Sequence, residues 1–289
     1  MTTSHETPQE LVVVSGASSG MGAATALTLV RRGFHVLAGV RREQDGDTLR
    51  EAGAEPVILD VTDTDDIARL AARVDGDPDG RPLRAVVNSA GVAVNAPVET
   101  LPLDSWRQVF DVNVLGTVAL VQALLPALHR SKGRIVTISS IGGKVTMPAY
   151  GAYSGSKHAI EAISDALRRE LAPHGVQVVV VEPGAVRTDM INRGTATARG
   201  LLERMTPEQR TRYGGLMEAF LSHAAGFATS GVSADHAASV ITRAVTDRRP
   251  RTRYTIGRDA AMFIRLSRVL PDRVLDAALA RTLRKHAPA

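Results

Sequence analysis

The sequence predicts a single α/β domain with a doubly wound parallel sheet of about seven strands. Short runs of β-branched, apolar residues alternate along the chain with longer segments whose apolar residues recur at helical spacing. The strand runs are continuously apolar, which indicates strands covered on both faces of the sheet. The alternation of strand and helix indicates that the strands are parallel, because each helix carries the chain back to the same end of the sheet.

The elements follow one another in a regular order. The predicted strands cover residues 11–14, 34–39, 56–60, 83–88, 134–139, 176–182 and 253–257, and the predicted helices cover residues 21–32, 64–74, 104–129, 153–172 and 234–246. Gly33 follows the first helix where a C-terminal capping residue is expected, and Asp104 and Ser233 are predicted N-caps. No repeat or long linker divides the chain, so we expect a flexible tail over 1–9 and one domain over 10–289.

Composition narrows the classes of protein. The 289 residues are 44% hydrophobic and 22% charged and include no cysteine, which excludes a disordered chain, a disulfide-stapled scaffold, thiol catalysis and iron–sulfur clusters. The eight histidines contain no pair at metal-ligand spacing, so no metal site is expected. The first ten residues lack a signal-peptide pattern, and no apolar stretch reaches the roughly 18 residues of a membrane span, so we expect a soluble, cytoplasmic protein.

Positive charge comes almost entirely from arginine. Four lysines stand against 31 arginines, the net charge is +5, and residues 241–289 contain twelve Arg and Lys against four Asp and Glu. The segment 260–286 predicts a pair of basic amphipathic helices. We interpret them as a cover for a pocket mouth or an oligomer seam, in preference to a contact with an anionic membrane. Nucleic-acid binding is disfavoured because no recognition motif or stacking aromatic residues accompany the charge.

A glycine-rich turn connects the first strand to the first helix. Gly16, Gly20 and Gly22 permit a tight turn and a close backbone approach, and free N–H groups at the start of the helix would face a pyrophosphate. A strand before the turn and a helix after it are the context in which this pattern indicates dinucleotide binding. A Walker-type loop is excluded because no Lys follows the glycines.

The end of the second strand indicates which dinucleotide binds. An NAD site places an acidic residue there to hold the ribose hydroxyls, whereas this strand ends in Gly39-Val40-Arg41-Arg42. The planar guanidinium of Arg41 suits a 2′-phosphate, with the Ser18 hydroxyl as a second donor. NADP(H) is therefore favoured over NAD(H). The alternative is that Arg41 and Arg42 only solvate a loop.

A tyrosine and a lysine supply candidate acid–base chemistry. Tyr153 and Lys157 are four residues apart and share one face of a predicted helix. A cation one turn away favours the phenolate, so we expect the pKa of Tyr153 to move from about 10 towards neutrality. Ser140 ends a strand thirteen residues before Tyr153, and Asn113 lies in the preceding long helix.

Together these motifs resemble the short-chain dehydrogenase/reductase family. Six of its motifs occur in order between Leu11 and Asp189, with a looser resemblance to Ala260: Ser15–Gly22, Asp60, Asn88–Gly91, Asn113, Ser140 with Tyr153 and Lys157, and Pro183–Thr188. Ser15 and Ser89 replace a family Thr and Asn, and both keep hydrogen-bonding capacity. The resemblance implies a Rossmann-type fold with a helical substrate lid and C-terminal helices. It also implies homodimers or homotetramers that pair the helices 104–129 and 153–172.

The resemblance also implies roles for individual residues. Tyr153 would be the general acid and base, Lys157 would hold the nicotinamide ribose and lower the pKa of Tyr153, Ser140 would bond the substrate oxygen, and Asn113 would hold a water that relays protons to Lys157. The implied cofactor contacts are Gly16, Ser18, Ser19, Gly20, Met21, Gly22, Arg41, Asp60, Val61, Asn88, Ala90, Gly91, Tyr153, Lys157, Pro183, Gly184, Val186 and Thr188.

The predicted lid, residues 189–231, is the segment from which we predict the substrate. Its many apolar residues favour a hydrophobic secondary alcohol or ketone, although the same side chains could instead pack the lid or a dimer contact. The expected pocket residues are Ser140, Tyr150, Met190, Met217 and Phe220. The segments 139–143 and 250–257 resemble the 17β-hydroxysteroid and retinol dehydrogenase branch, which implies a steroid-, retinoid- or acyl-like substrate.

Two alternatives remain beside this NADP(H)-dependent oxidoreductase. One is a non-catalytic dinucleotide-binding sensor or interaction protein on the same fold, because fold does not fix function. The other is a 3-oxoacyl-type reductase. A sensor would be free to lose Ser140, Tyr153 or Lys157, and all three are present.

Overall fold

The computed structural model describes residues 9–286 and contains one parallel sheet. Its strands are β1 (Leu11–Val14), β2 (His35–Val40), β3 (Glu55–Ile58), β4 (Leu83–Asn88), β5 (Arg134–Ile138), β6 (Gln177–Pro183) and β7 (Arg253–Ile256). The strand order is β3-β2-β1-β4-β5-β6-β7. This confirms the predicted doubly wound fold, and each predicted strand is present with both ends displaced by no more than two residues.

Helices connect the strands on both faces of the sheet. They are α1 (Gly20–Arg31), α2 (Asp47–Glu51), α3 (Thr64–Asp75), α4 (Leu103–Phe110), α5 (Gly116–Ser131), α6 (Gly151–Leu171), α7 (Asp189–Glu203), α8 (Pro207–Ser230), α9 (Ala234–Thr246), α10 (Arg258–Ser267) and α11 (Asp272–Arg284). Ser233 caps α9 as predicted, and Gly33 follows α1 with a positive φ. The predicted N-cap at Asp104 is wrong: α4 begins at Leu103, and Pro102 occupies the capping position.

The sheet is buried on both faces because successive side chains of each strand point to opposite sides. Val12 and Val14 pack in a core with α1 and α9, whereas Leu11 and Val13 pack in a second core with α3 and α5. Burial of each such side chain stabilises the fold by about 1.5–3 kcal/mol. The strands are therefore continuously apolar because both of their faces are buried, as the sequence indicated.

The lid segment is helical throughout. α7 and α8 together form a third apolar cluster with the loop after β4. α8 starts with a capping box, in which Thr206 and Gln209 each bond the other's backbone N–H. The C-terminal segment forms α10 and α11, and α11 packs against α8 with Leu279 and Leu283 buried.

One expectation about apolar stretches is wrong. A continuous helix from Leu103 to Ser131 has an 18-residue window with mean hydropathy 1.6, so by length and composition alone it is apolar enough to cross a membrane. In the folded domain this helix lies against β4 and α3, and 44% of that window is buried. The helix is apolar because it packs against the core of the sheet.

A buried arginine joins β5 to the end of α9. Arg134 donates to the carbonyl oxygens of Ala244 at 2.6 Å, Val245 at 2.7 Å and Asp247 at 2.9 Å, and to Oε1 of Gln177 at 2.6 Å. These carbonyls lie at the C-terminus of α9, where backbone acceptors lack helical partners and a cation is favourable.

We expect Arg134→Met to lower the free energy of unfolding by about 3 kcal/mol, because the buried carbonyls lose their donors. Urea denaturation followed by circular dichroism measures the effect. Arg248→Met is the matched control, since Arg248 is exposed and makes no ion pair with any residue of 9–286, and it should change the value by less than about 0.5 kcal/mol. Equal values for the two variants would contradict the capping role.

Candidate active site

The loop between β1 and α1 depends on three glycines. Gly16 has φ +65°, and a Cβ on it would stand 2.7 Å from Cα of Ala90. A Cβ on Gly22 would stand 2.1 Å from the carbonyl oxygen of Gly16. Gly20 has φ +58° and lies against Thr188, where a Cβ would meet the side chain at 3.1 Å. The turn can therefore close only without side chains at these positions.

Ser15 ties this loop to the loop after β4. Its Oγ accepts hydrogen bonds from the backbone N–H of Ser89 at 3.1 Å and of Ala90 at 3.2 Å. The hydroxyl that replaces the family threonine thus holds the two loops side by side. Asn88 precedes them, and both polar atoms of its buried side chain lack a hydrogen-bond partner within residues 9–286.

A cleft of about 780 Å³ opens between these loops, at the carboxyl ends of the strands. Thirteen residues predicted for the cofactor or substrate line it: Gly16, Ser18, Ser19, Gly20, Met21, Gly22, Arg41, Asp60, Val61, Ala90, Gly91, Thr188 and Met190. The predicted residues outside its lining are Asn88, Asn113, Ser140, Tyr150, Tyr153, Lys157, Pro183, Gly184, Val186, Met217 and Phe220. The structure thus gathers most of the predicted dinucleotide contacts around one opening.

Two adjacent arginines at the end of β2 differ in their contacts. Arg42 binds Asp45 through two hydrogen bonds of 3.0 and 2.8 Å. Arg41 lines the cleft and forms no hydrogen bond or ion pair with any residue in 9–286. Burial would raise the pKa of Asp60, but hydrogen bonds from Thr62 and the charge of Arg41 lower it, so Asp60 is ionised beside the cleft.

Tyr153 and Lys157 lie on one face of α6, as their spacing predicts. Nζ of Lys157 donates to the carbonyl oxygen of Ile138 at 2.8 Å, at the end of β5, and lies 5.8 Å from the centroid of the Tyr153 ring. Burial lowers the pKa of Lys157 to about 8, against the opposing effect of Glu161. The lysine is therefore a buried cation that is close to losing its proton near neutral pH.

The expected shift of Tyr153 is wrong for this state of the protein. Burial raises the pKa of the phenol, and a hydrogen bond with Ser140 opposes that rise without overcoming it. The physical reason is that Nζ of Lys157 lies above the ring and is bonded to Ile138, while the phenol is shielded from water. Oγ of Ser140 also accepts the backbone N–H of Gly142 at 3.0 Å, which fixes its orientation.

Asn113 lies in a π-helical turn, Asp111–Leu115, between α4 and α5. Its side chain accepts the N–H of Val92 at 2.8 Å and donates to the carbonyl oxygen of Val92 at 2.9 Å and to Oγ of Ser156 at 3.0 Å. The amide thus clamps the loop after β4 to α6. π-Helical turns occur frequently at functional sites, and this one contains Asn113, a predicted site residue.

The loop after β6 reaches the cleft through Thr188. Pro183 ends β6, Gly184 is held by a backbone hydrogen bond to Ile256, and Val186 pairs with Val232. A Cβ on Gly184 would stand 2.9 Å from that of Ala260, so α10 packs closely behind this loop. The loop therefore brings Thr188 against Gly20 while its earlier residues stay behind the cleft.

The lid places fewer predicted residues in the cleft than expected. Met217 and Phe220 are 0% and 1% exposed and belong to the third apolar cluster. Phe220 packs edge-on against Tyr150, with ring centroids 5.2 Å apart, and Tyr150 lies 6.4 Å from Tyr153. Met190 and Arg193 are the lid residues that line the cleft, and sequence reasoning missed Arg193.

Two other missed residues are glycines that make room. Gly39 and Gly116 line the cleft, and a Cβ on either would stand 2.7 Å from Leu59 or Val61 respectively. A glycine inside a predicted strand was the available signal at Gly39. Among the side chains that the structure describes, which leave out Ala228 and Asp259 within 9–286, no group of three or more His, Asp or Glu could hold a metal ion.

Comparison with known proteins identifies the family. The model of the short chain dehydrogenase family matches residues 10–198. The chain is 33% identical to an NADPH-dependent 3-dehydrocapnine reductase of Ornithobacterium rhinotracheale, covering 94% of this chain and 97% of that protein. It is 35% identical to retinol dehydrogenase 5 of Mus musculus, covering 93% and 87%. A short chain dehydrogenase from Burkholderia cenocepacia in complex with NADP has a TM-score of 0.72 and 26% identity, over 95% and 98% of the two chains.

The chain belongs to the short-chain dehydrogenase/reductase family. It is an oxidoreductase of the branch that resembles retinol and hydroxysteroid dehydrogenases, and the predicted resemblance is confirmed. The residues present fit the family's nicotinamide dinucleotide. The N-terminus of α1 carries no acidic side chain in its first turn and no side-chain cap, so its N–H groups are available to a pyrophosphate over the glycine turn.

The burial of Lys157 has a consequence for stability. Its pKa is depressed to about 8 in the folded protein, against about 10.4 in an unfolded chain. Below pH 8 both states carry the charge and the folded state bears its full desolvation cost. As pH rises from 8 to 10.4 the unfolded state binds more protons, so this cost disappears.

We therefore expect Lys157→Met to be more stable than the wild type by about 1–3 kcal/mol at pH 7, with the difference shrinking as pH rises through that window. Urea denaturation at several pH values measures it. Lys132→Met, on an exposed residue after α5, is the control and should show no such pH dependence. A constant difference between wild type and Lys157→Met across the window would contradict the burial argument.

Proposed function

We propose that this oxidoreductase interconverts a hydrophobic alcohol and its carbonyl compound with NADP(H), and that Tyr153 is the general acid and base. The observation that carries the proposal is the grouping of Ser140, Tyr153 and Lys157 at the ends of β5 and α6. Gly91 lines the cleft, and a Cβ added to it would stand 3.8 Å from Nζ of Lys157 and 3.4 Å from Oδ1 of Asn113. The catalytic group and the dinucleotide cleft are therefore contiguous.

The dinucleotide, when bound, supplies hydride for reduction and accepts it in oxidation. Tyr153 gives the proton of its phenol to the carbonyl oxygen in reduction and takes it back in oxidation. The phenol of a tyrosine carries its proton at neutral pH, which the acid role requires. Ser140 donates a hydrogen bond to the same oxygen, where charge develops, an interaction that typically contributes about 3 kcal/mol. The positive charge of Lys157 stabilises the phenolate that remains.

The cofactor preference rests on Arg41. Arg41 is exposed on the cleft, which Ser18 also lines, and has no hydrogen-bond or ion-pair partner among the described side chains, whereas Arg42 forms two hydrogen bonds with Asp45. A 2′-phosphate would give Arg41 the bidentate partner it lacks. The relative named as NADPH-dependent and the neighbour in complex with NADP support the same preference.

The substrate class rests on the residues of the lid that face the cleft. The methyl group of Met190 would stand 3.9 Å from the same added Cβ on Gly91, which Lys157 also approaches. An apolar group therefore covers the end of the cleft next to Lys157. The relative named as a retinol dehydrogenase supports a hydrophobic alcohol. Because Met217 and Phe220 are buried, the apolar lid is mainly a packed layer behind Tyr150, and Met190 with Arg193 supplies the surface that a substrate meets.

Removal of the Tyr153 hydroxyl tests the catalytic proposal. With NADPH and a panel of apolar ketones, aldehydes and one 3-oxoacyl compound, we expect Tyr153→Phe to lower kcat by about 10²–10⁴-fold, because the general acid is lost. Tyr213→Phe is the control, since it removes a phenol that bonds Glu99 on the protein surface. A Tyr153→Phe variant with the kcat of the wild type would remove Tyr153 from the acid–base role. Absence of turnover by the wild type on every member of the panel would favour the non-catalytic dinucleotide-binding alternative.

The paired arginines test the cofactor preference. We expect Arg41→Ala to lower the ratio of NADPH to NADH affinity by about tenfold or more, because a charge-assisted contact to the 2′-phosphate is lost. Arg42→Ala should leave the ratio within about twofold of the wild type. Fluorescence titration of each variant with both nucleotides measures it. An unchanged ratio in Arg41→Ala would remove Arg41 from phosphate recognition.

A further inference from the structure

A cluster of buried and half-buried charges lies one turn along α6 from Lys157. We call it the Glu161 cluster: Lys144, Glu161, Glu182 and Arg253. Oε2 of Glu161 contacts Nζ of Lys144 at 2.7 Å and Nη2 of Arg253 at 3.0 Å. Glu182 lies 3.2 Å from Nε of Arg253 and accepts the Thr255 hydroxyl at 3.1 Å. Glu161 and Glu182 are 4% and 1% exposed.

Glu161 connects this cluster to the catalytic lysine. It follows Lys157 by four residues on α6, so the two side chains project from one face of the helix. At Gly143, a Cβ would stand 3.1 Å from Cγ of Glu161, 2.9 Å from the carbonyl oxygen of Lys157 and 2.8 Å from Oγ of Ser139. The glutamate, the lysine backbone and the end of β5 therefore meet at one point. Oε1 of Glu161 is buried without a hydrogen-bond partner in the described chain.

Charged groups from several elements surround Glu161. On its own helix it faces Lys157 and, through Arg253, Asp165; from the segment after β5 it faces Lys144; from β6 it faces Glu182; and from β7 it faces Arg253. Burial raises the pKa of Glu182, and the charge of Glu161 raises it further. Glu161 has two cations on one oxygen and is the carboxylate of the cluster that lies one turn from Lys157 on α6.

We propose that Glu161 is a positioning residue that keeps Lys157 charged beside Tyr153, with Lys144 and Arg253 holding its carboxylate in place. It touches neither substrate nor cofactor and acts through the lysine. A buried ammonium loses its hydration, and a carboxylate one turn away replaces part of that lost stabilisation. The inference deepens the proposed function and rests on it for its catalytic meaning, but the state of Lys157 is measurable without turnover.

The chain's four lysines make a direct test possible. ¹³C-lysine-labelled protein should show four Cε signals, and Lys157→Met assigns the Lys157 signal by its loss. We expect a titration midpoint near 8 for Lys157 in the wild type and a midpoint about one pH unit lower in Glu161→Gln. Asp165→Asn is the matched control: it removes a carboxylate that also contacts Arg253, one turn further along α6, and it should leave the midpoint within about 0.3 units.

Each outcome decides the inference. An unchanged midpoint in Glu161→Gln, or an equal shift in Asp165→Asn, overturns it. Glu161→Asp keeps the charge and should keep the midpoint within about 0.5 units of the wild type, so a full shift in that variant would assign the effect to packing. Should Glu161→Gln fail to fold, Glu161→Met, a neutral side chain of similar length suited to a buried site, takes its place in the same comparison.

The pH profile connects the measurement to catalysis. For ketone reduction the active form has Tyr153 protonated and Lys157 charged, and removal of a negative charge makes both groups lose their protons at lower pH. The alkaline limb of kcat should therefore move to lower pH by about one unit in Glu161→Gln and stay in place in Asp165→Asn. An unmoved limb in Glu161→Gln overturns the inference. Absence of turnover by the wild type on every carbonyl would overturn the proposed function, while the Lys157 titration would still decide the role of Glu161.

Discussion

The position of the whole active site depends on the reversal of strand order between the neighbouring strands β1 and β4. The chain builds the sheet outward through β2 and β3 and then returns to place β4 on the other side of β1. The loops after β1 and β4 consequently leave in different directions and open a crevice at the carboxyl ends of the strands. Ser15 and the side-chain-free Gly16 hold the two loops at contact distance beneath that opening. The order of the strands in the sheet therefore creates the cleft, and the glycine turn only shapes its base.

The proposed chemistry requires a positive charge that is shielded from water. Lys157 is buried and Tyr153 is half-buried, and burial moves their pKa values in opposite directions, towards the neutral form of each. The end of that trend is a neutral phenol beside a neutral amine, which stabilises no phenolate. The carboxylate of Glu161 opposes this on the lysine side, and the Ser140 hydroxyl opposes it on the tyrosine side. The site therefore depends on groups behind the reacting atoms as much as on the reacting atoms themselves.

The sequence was sufficient for features set by local pattern. The seven strands, the glycine turn and the spacing of Tyr153 and Lys157 depend on periodicity and on neighbours within one or two helical turns. Features set by packing were not predictable in this way. Apolar spacing cannot tell a pocket wall from a core position, so Met217 and Phe220 were expected in the pocket and lie in the packed layer behind it. In the same way, nothing local distinguishes Arg41 from Arg42; only the turn that brings Asp45 back to Arg42 separates them.

The scarcity of lysine acquires a physical meaning in the folded chain. Arginine supplies nearly all the positive charge, yet two of the four lysines, Lys144 and Lys157, lie on either side of Glu161. A guanidinium is planar, holds its proton strongly and needs several acceptors, whereas an ammonium is compact and loses its proton more readily when buried. At Lys157 the compact shape is the useful property, because the cation lies over the Tyr153 ring and bonds the carbonyl oxygen of Ile138. An arginine there would need further acceptors that the end of β5, with the carbonyl of Ile138, does not offer. The need for a compact cation therefore accounts for a lysine at position 157 in a chain whose positive charge is almost all arginine.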